Sequence, residues 1–435
     1  MTKRAAALDG SAPSRRGSAR RVWIVNHHAA APDEAAGTRH FELARELVRH
    51  GHDVTVFAGN FDTIPGRRDH LGPRRLYRVE RFDGVRFVWL RTTPYSAAMV
   101  TRSVSMLAFL VVFLVVQLRR PRPDIVIGST VHPFAALGGW IAAKLRRARF
   151  AFEIRDLWPQ TLVDLGAMRE GSPGERGLRV LEAFLVRHAS AVITLLPGIR
   201  DYLRERGLPS HHAVYIPNGA RLDAYATPRD APPTVVAALA EVARLRDEGR
   251  FVLGYAGAFG RVNRVDLVVK GAVDVEARAP GRVGFVAVGQ GPELPAIEAA
   301  AAGSPAVSVC RAIPKAWMPD LLRSLDAAVV HTTYTPVYRY GISFNKLFEY
   351  MAAERPVVFA CDCAYDPVEA SGAGVTIPPD DAAALGDAYL RMADTPAEAR
   401  RVMGGAGLAY VRREHDFRRL GDTLAAVVEG RLPER

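Results

Sequence analysis

The feature that most constrains the fold is an alternation carried through most of the chain: short apolar runs rich in β-branched residues, each followed by a helical stretch. Residues 22–25 are the first such run. A helix begins near Thr38 and ends at Gly51, where glycine suits a helix terminus, and residues 54–58 supply the next strand. Further strands are predicted at 124–128, 150–154, 191–195 and 213–216, with helices such as 135–145 and 178–188 between them. Residues 219–250, with Pro228, Pro232 and Pro233 ahead of an Ala-rich charged helix, read as an interdomain passage. The pattern restarts at Phe251, with strands at 252–255, 283–288, 306–309, 327–331 and 356–360 and a last helix near 417–429. Such repetition implies parallel, doubly wound sheets. The predicted class is α/β, with two domains, residues 22–218 and 251–405, facing a cleft at the carboxyl ends of both sheets, where ligands of this topology bind. A length of 435 residues is too great for one ordinary core and fits two.

Hydrophobic residues at 49% and charged residues at 24% describe a globular chain rather than a disordered or polytopic membrane one. Cys310, Cys361 and Cys363 are too few and too badly spaced for a disulfide framework or a zinc site, which points to a reducing cytoplasm. The net charge of +12 is unevenly placed: residues 1–220 hold 33 Lys/Arg against 19 Asp/Glu, the rest 25 against 27. A basic first half suits an anionic membrane surface or a diphosphate-bearing acceptor. Nucleic acid is not expected as a partner, because no binding motif and no interleaving of aromatic and basic residues is recognisable. Residues 1–21, with six Lys/Arg and one Asp, read as a disordered basic arm without an apolar signal segment, and the eight arginines of residues 67–91 as a mobile basic excursion.

Between Arg102 and Arg119 lie 16 uncharged residues, SVSMLAFLVVFLVVQL. As a helix they fall short of the roughly 20 residues that a membrane span needs. A buried or half-buried helix is the first reading; a helix dipping into a bilayer interface, and a true span, stay open.

Residues 341–358, GISFNKLFEYMAAERPVV, place Ser343, Asn345 and Lys346 in a loop that runs directly into an amphipathic helix. A helix N-terminus with unpaired N–H groups beside a lysine is suited to holding an anion. The segment resembles the donor-diphosphate loop of the retaining family 4 glycosyltransferases, enzymes of the GT-B fold. GTRHFELARELVRHGHDVTVF, DIVIGSTVHPFAALGGW, EIRDLWPQTLVDLG, IPNGARLD and GYAGAFG match in order the WbuB-like branch of that family, which serves bacterial surface-polysaccharide synthesis; the set spans roughly residues 22 to 360.

The resemblance implies GT-B architecture, two Rossmann-like domains, with residues 406–435 forming a C-terminal helix that packs back toward the first. It assigns Lys346 to the departing diphosphate, a charge that preorganised donors must stabilise, with Ser343 and Asn345 as added donors. Glu349 aligns with the second glutamate of the family's E-x7-E pattern, which contacts the ribose; the first is replaced by Gly341. That departure removes the usual carboxylate near the anomeric carbon and leaves front-face displacement. His132 matches the histidine beside the transferred sugar. In GYAGAFGRVNRVD, Ala258 and Asn263 stand where the commonest family form has arginine and lysine; Arg261 or Arg264 is a candidate replacement, and Gly257 and Gly260 permit close approach of backbone to phosphate. Gly289, Gly291 and Arg311 resemble nucleoside-contacting positions. In the first domain Gly37, Thr38 and Arg39 open a helix suited to acceptor or donor phosphate, Arg155 is a candidate acceptor contact, and Asp156 a candidate acid–base group.

The expectation is a cytoplasmic, membrane-peripheral retaining glycosyltransferase using a UDP-sugar and a polyprenyl-diphosphate-linked saccharide. No cofactor and no metal are expected. The rivals are a nucleotide-sugar epimerase on the same fold and a noncatalytic membrane-associated binding protein, the latter made conceivable by Gly341.

Overall fold

The structure is a computed structural model, described over residues 19–32, 37–61, 69–94, 99–130, 132–222 and 230–432. Most of the expected basic arm, residues 1–18, lies outside the described residues. The first sheet comprises β1 (Arg21–Val25), β2 (Asp53–Gly59), β3 (Tyr77–Phe82), β4 (Val85–Leu90), β5 (Ile125–Ser129), β6 (Arg149–Ile154), β7 (Ala191–Thr194) and β8 (Ala213–Tyr215), in the order β3-β4-β2-β1-β5-β6-β7-β8. All neighbours run parallel except the β3–β4 pair. The second sheet is wholly parallel: β9 (Phe251–Ala258), β10 (Val283–Gln290), β11 (Val307–Arg311), β12 (Ala327–His331), β13 (Val357–Ala360) and β14 (Gly374–Ile377), ordered β11-β10-β9-β12-β13-β14.

Central strands read as unbroken apolar runs because helices cover both faces. Val22, Trp23, Ile24 and Val25 of β1 are all buried. On one face lie α1 (Arg39–Arg49) and the C-terminal helix Phe417–Glu429, so that Phe41, Leu43 and Leu47 share a core with Phe417, Leu420 and Leu424. On the other lie α2 (Met99–Val116), α3 (Pro133–Leu145) and the helix Pro173–His188. The inward face of α2 carries Phe109, Phe113 and Val116 into that core, while Val104, Leu107, Val111 and Val115 face outward.

Three expectations need correction. The part of the arginine-rich stretch that is described is largely a β-hairpin, β3 and β4, on the edge of the sheet. Arg86 of β4 is held by Asp53 and Thr55 of the neighbouring β2, while the outermost strand, β3, carries Arg78 and Arg81, charge that an edge tolerates and that discourages pairing with other chains. The interdomain passage is shorter than 219–250, because the helix Pro233–Asp247 buries Val235, Ala238, Val242 and Leu245 in the second domain's core; Pro228 lies outside the described residues. The boundary at 405 falls inside a continuous helix, Ala397–Glu414, and the chain returns to the first domain only at His415 and Asp416.

The two passages of the chain between domains run side by side. Ala220 N–H donates to the His415 carbonyl at 2.9 Å, and a Cβ at Gly219 would stand 2.5 Å from that same oxygen, so no larger residue fits without displacement. His415 Nδ1 lies 2.7 Å from the Asn218 carbonyl, and its ring stacks on Phe348 at 3.6 Å.

Candidate active site

The carboxyl ends of both sheets enclose a cavity of about 580 Å³. From the first domain its wall takes Gly37, Arg155, Asp156, Leu195, Leu196 and Asn218; from the second, Gly257, Asn263, Gly289, Lys315, Tyr338 and the segment Gly341–Lys346 with Glu349. Residues far apart in sequence meet there because they sit at the carboxyl ends of strands, as Gly257, Gly289 and Arg155 do, in the loops and short turns beyond those ends, as Asn263, Lys315 and Gly341 do, or in the helix Asn345–Ala352, as Lys346 and Glu349 do.

That helix is fixed to β9 by Tyr350, whose hydroxyl donates to the Ala256 carbonyl and accepts from Ala256 N–H, both at 2.8 Å. Its first turn has no side-chain cap, leaving N–H groups directed at the cavity. Lys346 Nζ donates to Asn263 Oδ1 at 2.6 Å and to Tyr255 Oη at 2.9 Å, and lies 4.7 Å from the centre of the Tyr255 ring. Burial, with neutral Tyr255 and Asn263 as its hydrogen-bond acceptors, pushes the Lys346 amine down to about 7. Glu349 accepts an ion pair from Lys315 at 3.0 Å. The two share the wall between the main cavity and a second of about 330 Å³ that reaches Thr38, Glu42 and Arg221. Sequence reasoning missed Lys315, although it lies only four residues beyond the anticipated Arg311.

Across the cleft, Arg155 has a buried Nε without a hydrogen-bond partner among the described residues, and its backbone N–H donates to Thr130 Oγ1 at 2.9 Å. Beside it Asp156 opens onto the cleft, and the protein around the cleft raises its carboxyl above the ordinary value, an effect that Arg155 opposes. Asn218 ties the domains together: its N–H donates to Ser343 Oγ at 2.9 Å and its Nδ2 to the Ser343 carbonyl at 2.6 Å. Asn218 was likewise missed; it sits in the quoted IPNGARLD segment but has no charge to draw notice.

Gly341, where the family pattern has glutamate, adopts φ 96°, ψ −179°, a region open essentially to glycine alone. A Cβ there would meet the Pro197 ring at 2.6 Å. The loop is docked on the first domain: Gly198 N–H donates to the Tyr340 carbonyl at 2.9 Å.

Several anticipated residues are not on the cavity wall. Arg39 is buried: it pairs with Glu153 at 3.0 Å and donates to the carbonyls of Ile216 and Pro217. Glu153 also takes His40 at 2.7 Å and Ser129 at 2.5 Å; burial alone would raise its pKa, but His40 and Arg39 hold it well below the usual range. Arg39 is thus committed to the core rather than to a phosphate. His132, 1% exposed, turns inward, its Nε2 2.9 Å from His27 Nδ1. Burial and the neighbouring His28 push its imidazole well below the ordinary histidine range, so it is uncharged at neutral pH. His27, His28 and His132 bring ligand atoms within 4.8 Å of one another, a grouping that spacing in sequence did not suggest. Thr38 lines the second cavity, not the first. Gly260, Gly291, Arg261 and Arg311 stand off both cavity walls; Gly291 packs on Phe259, and both arginines are solvent-exposed. Arg264 is engaged by Asp266 at 3.1 Å. Neither Arg261 nor Arg264 lines the cavity beside Ala258 and Asn263.

Residues 34–219 match the profile of a glycosyl transferase 4-like domain, and residues 250–395 that of the glycosyl transferases group 1. An Escherichia coli K12 protein named as the colanic acid biosynthesis glycosyl transferase WcaI is 25% identical over 240 residues, 53% of this chain; the match spans little more than half of that relative, 57%. Among solved structures, sucrose-phosphate synthase of Thermosynechococcus elongatus superposes with a TM-score of 0.70 at 16% identity, covering 94% of this chain and 98% of that one. The trehalose-phosphate synthase of Burkholderia vietnamiensis gives 0.66 at 18% over 95% and 99%. Anabaena HepE, solved with UDP and glucose, gives 0.64 at 14% over 94% and 99%. These structural likenesses are of fold, two facing parallel α/β domains. With both halves matched in order on that architecture, the chain belongs to the family 4 glycosyltransferases of the GT-B fold.

Proposed function

We propose that the protein is a retaining glycosyltransferase of the WbuB-like branch that moves a hexosyl or N-acetylhexosaminyl group from a UDP-sugar to a polyprenyl-diphosphate-linked saccharide, working peripherally at the cytoplasmic face of the cell membrane. The observation that carries the reading is Lys346 at an uncapped helix N-terminus, at the carboxyl ends of both sheets, facing Arg155 and Asp156 across the cavity. A leaving diphosphate is an anion, and the site offers it preorganised donors. In front-face transfer the C1–O bond to the diphosphate breaks while the acceptor oxygen bonds to C1 on the same face. The acceptor proton passes to the departing phosphate oxygen, so the reading needs no carboxylate at Gly341 and no resident cofactor. Asp156, its pKa raised, is assigned to orienting the acceptor hydroxyl, and Glu349 to the ribose.

UDP as the nucleotide draws support from HepE, solved with UDP-glucose, and surface-polysaccharide synthesis from the name of the WcaI relative. Calorimetric titration against UDP, GDP, ADP and their sugars, followed by transfer to a polyprenyl-diphosphate saccharide, tests the reading. Conversion of free UDP-sugar without acceptor would assign an epimerase instead, and binding without turnover a noncatalytic protein.

A further inference from the structure

The outward side of α2 and of the turn that follows it is apolar from Val104 to Leu118. Val104, Leu107, Val111, Val115 and Leu118 are 50%, 54%, 54%, 49% and 60% exposed. Their spacing of three and four residues puts them on one stripe, about 21 Å long at the helical rise. Leu145, at the end of α3, extends the patch at 62% exposure. The opposite side of α2, with Phe109, Phe113 and Val116, is committed to the domain core, and Gln117 Oε1 accepts from Arg146 Nε at 2.9 Å. By length and composition Thr101–Arg119 is able to cross a membrane, but its inner side is packed into the domain here. It can lie in an interface with one face immersed.

Charge singles out the partner. Between Asp83 and Glu153 the sequence holds ten Lys/Arg and a single acid, Asp124. Arg102 stands exposed near the start of the stripe; Arg119, Arg122, Lys144 and Arg147 stand exposed around its far end. An apolar stripe rimmed by cations, with no carboxylate on α2 or α3, complements a surface that is apolar within and negative at its rim. Phe109 stacks on His27, directly after β1, at 4.8 Å. The first turns of α2 therefore reach past the strand ends, on the side where the cleft opens.

We propose that this face of α2, with the arginines at its ends, is an interfacial docking surface for a bilayer containing anionic phospholipid, laying the helix in the headgroup boundary with the cleft mouth beside it. The inference deepens the reading of a lipid-linked acceptor. Its test reads lipid partition and nucleotide binding separately, so either can fail alone.

The full chain is sedimented with phosphatidylcholine vesicles and with vesicles containing phosphatidylglycerol, at low and high salt. Wild type should partition onto the anionic vesicles, weaken with salt, and retain a salt-resistant fraction. The double variant L107D/V111D, altered only at exposed positions, should lose at least about 10-fold of that partition. R119E/R122E should lose partition on anionic vesicles alone. Thermal melting of each variant serves as the control for folding, and UDP titration is read separately. Vesicle binding by L107D/V111D equal to that of wild type overturns the proposal. So does a wild type that ignores vesicles and forms a dimer dissolved by L107D/V111D, which would make the face a contact between copies. UDP binding without vesicle binding removes the docking surface alone; vesicle binding without nucleotide binding removes the enzymatic reading alone.

Discussion

Asn263 Oδ1 stands 2.6 Å from Lys346 Nζ. The residue that occupies the place of the family's second basic side chain instead holds the Lys346 cation in position. Lys346→Met should therefore lower turnover roughly 100-fold to 1000-fold while the apo protein stays folded. Activity within a few fold of wild type at saturating donor would remove Lys346 from the mechanism.

The same amine sets a pH dependence. Burial displaces its pKa to about 7 from an ordinary value of 10.5, and a bound diphosphate should restore the charge. Nucleotide affinity should then fall about tenfold per pH unit above 7, with proton uptake on binding. Unfolded chains bind more protons than folded ones between about 7 and 10.5, so this group makes apo stability rise with pH in that window. Calorimetry in buffers of different ionisation enthalpy reads the uptake; none at pH 8 would contradict the assignment.

Gly341→Glu, which restores the family residue, should not restore a catalytic carboxylate. The backbone at φ 96° and the Pro197 ring at 2.6 Å oppose any side chain. A loss of about 1–3 kcal/mol is expected, with reduced transfer, measured by denaturant melts beside turnover.

Glu153→Ala leaves Arg39 and His40 buried without their carboxylate. A loss of about 3–5 kcal/mol should follow. Because the folded pKa of Glu153 is depressed, its contribution is present above the unfolded value and disappears as the pH falls through the folded one. The difference between wild type and variant in urea should shrink in acid; a difference constant with pH would contradict the pairing.

Glu182 behaves oppositely. It accepts from Tyr202 Oη at 2.8 Å, and burial pushes it up to about 7 from 4.5. The folded state holds the extra proton, so wild-type stability should fall as pH rises between those values. Glu182→Gln should be the more stable form above pH 7 by about 2–3 kcal/mol, and gain nothing below the unfolded pKa. Thermal melts across that range check the sign.

The parts of the fold legible in the sequence were those that local pattern determines. Buried strands such as β1 and β12 are unbroken apolar runs, and the anion-holding loop is contiguous, so Ser343, Asn345, Lys346 and Glu349 could be placed together. The hairpin β3–β4 hid behind arginines, because an edge strand needs only one apolar face. Arg39 and His132 misled for a different reason. The partners that turn them inward, Glu153 and His27, lie 114 and 105 residues away, and no spacing rule reports them. Pro197, which makes the glycine at 341 obligatory, is equally remote in sequence.

The C-terminal helix Phe417–Glu429 closes one wall of the first domain's core. During synthesis the N-terminal half thus leaves the ribosome with that side of its core uncovered until this helix emerges. A truncation of that helix should therefore injure the half of the protein made first, sparing the half made second, and premature termination should yield an aggregating product rather than a working fragment.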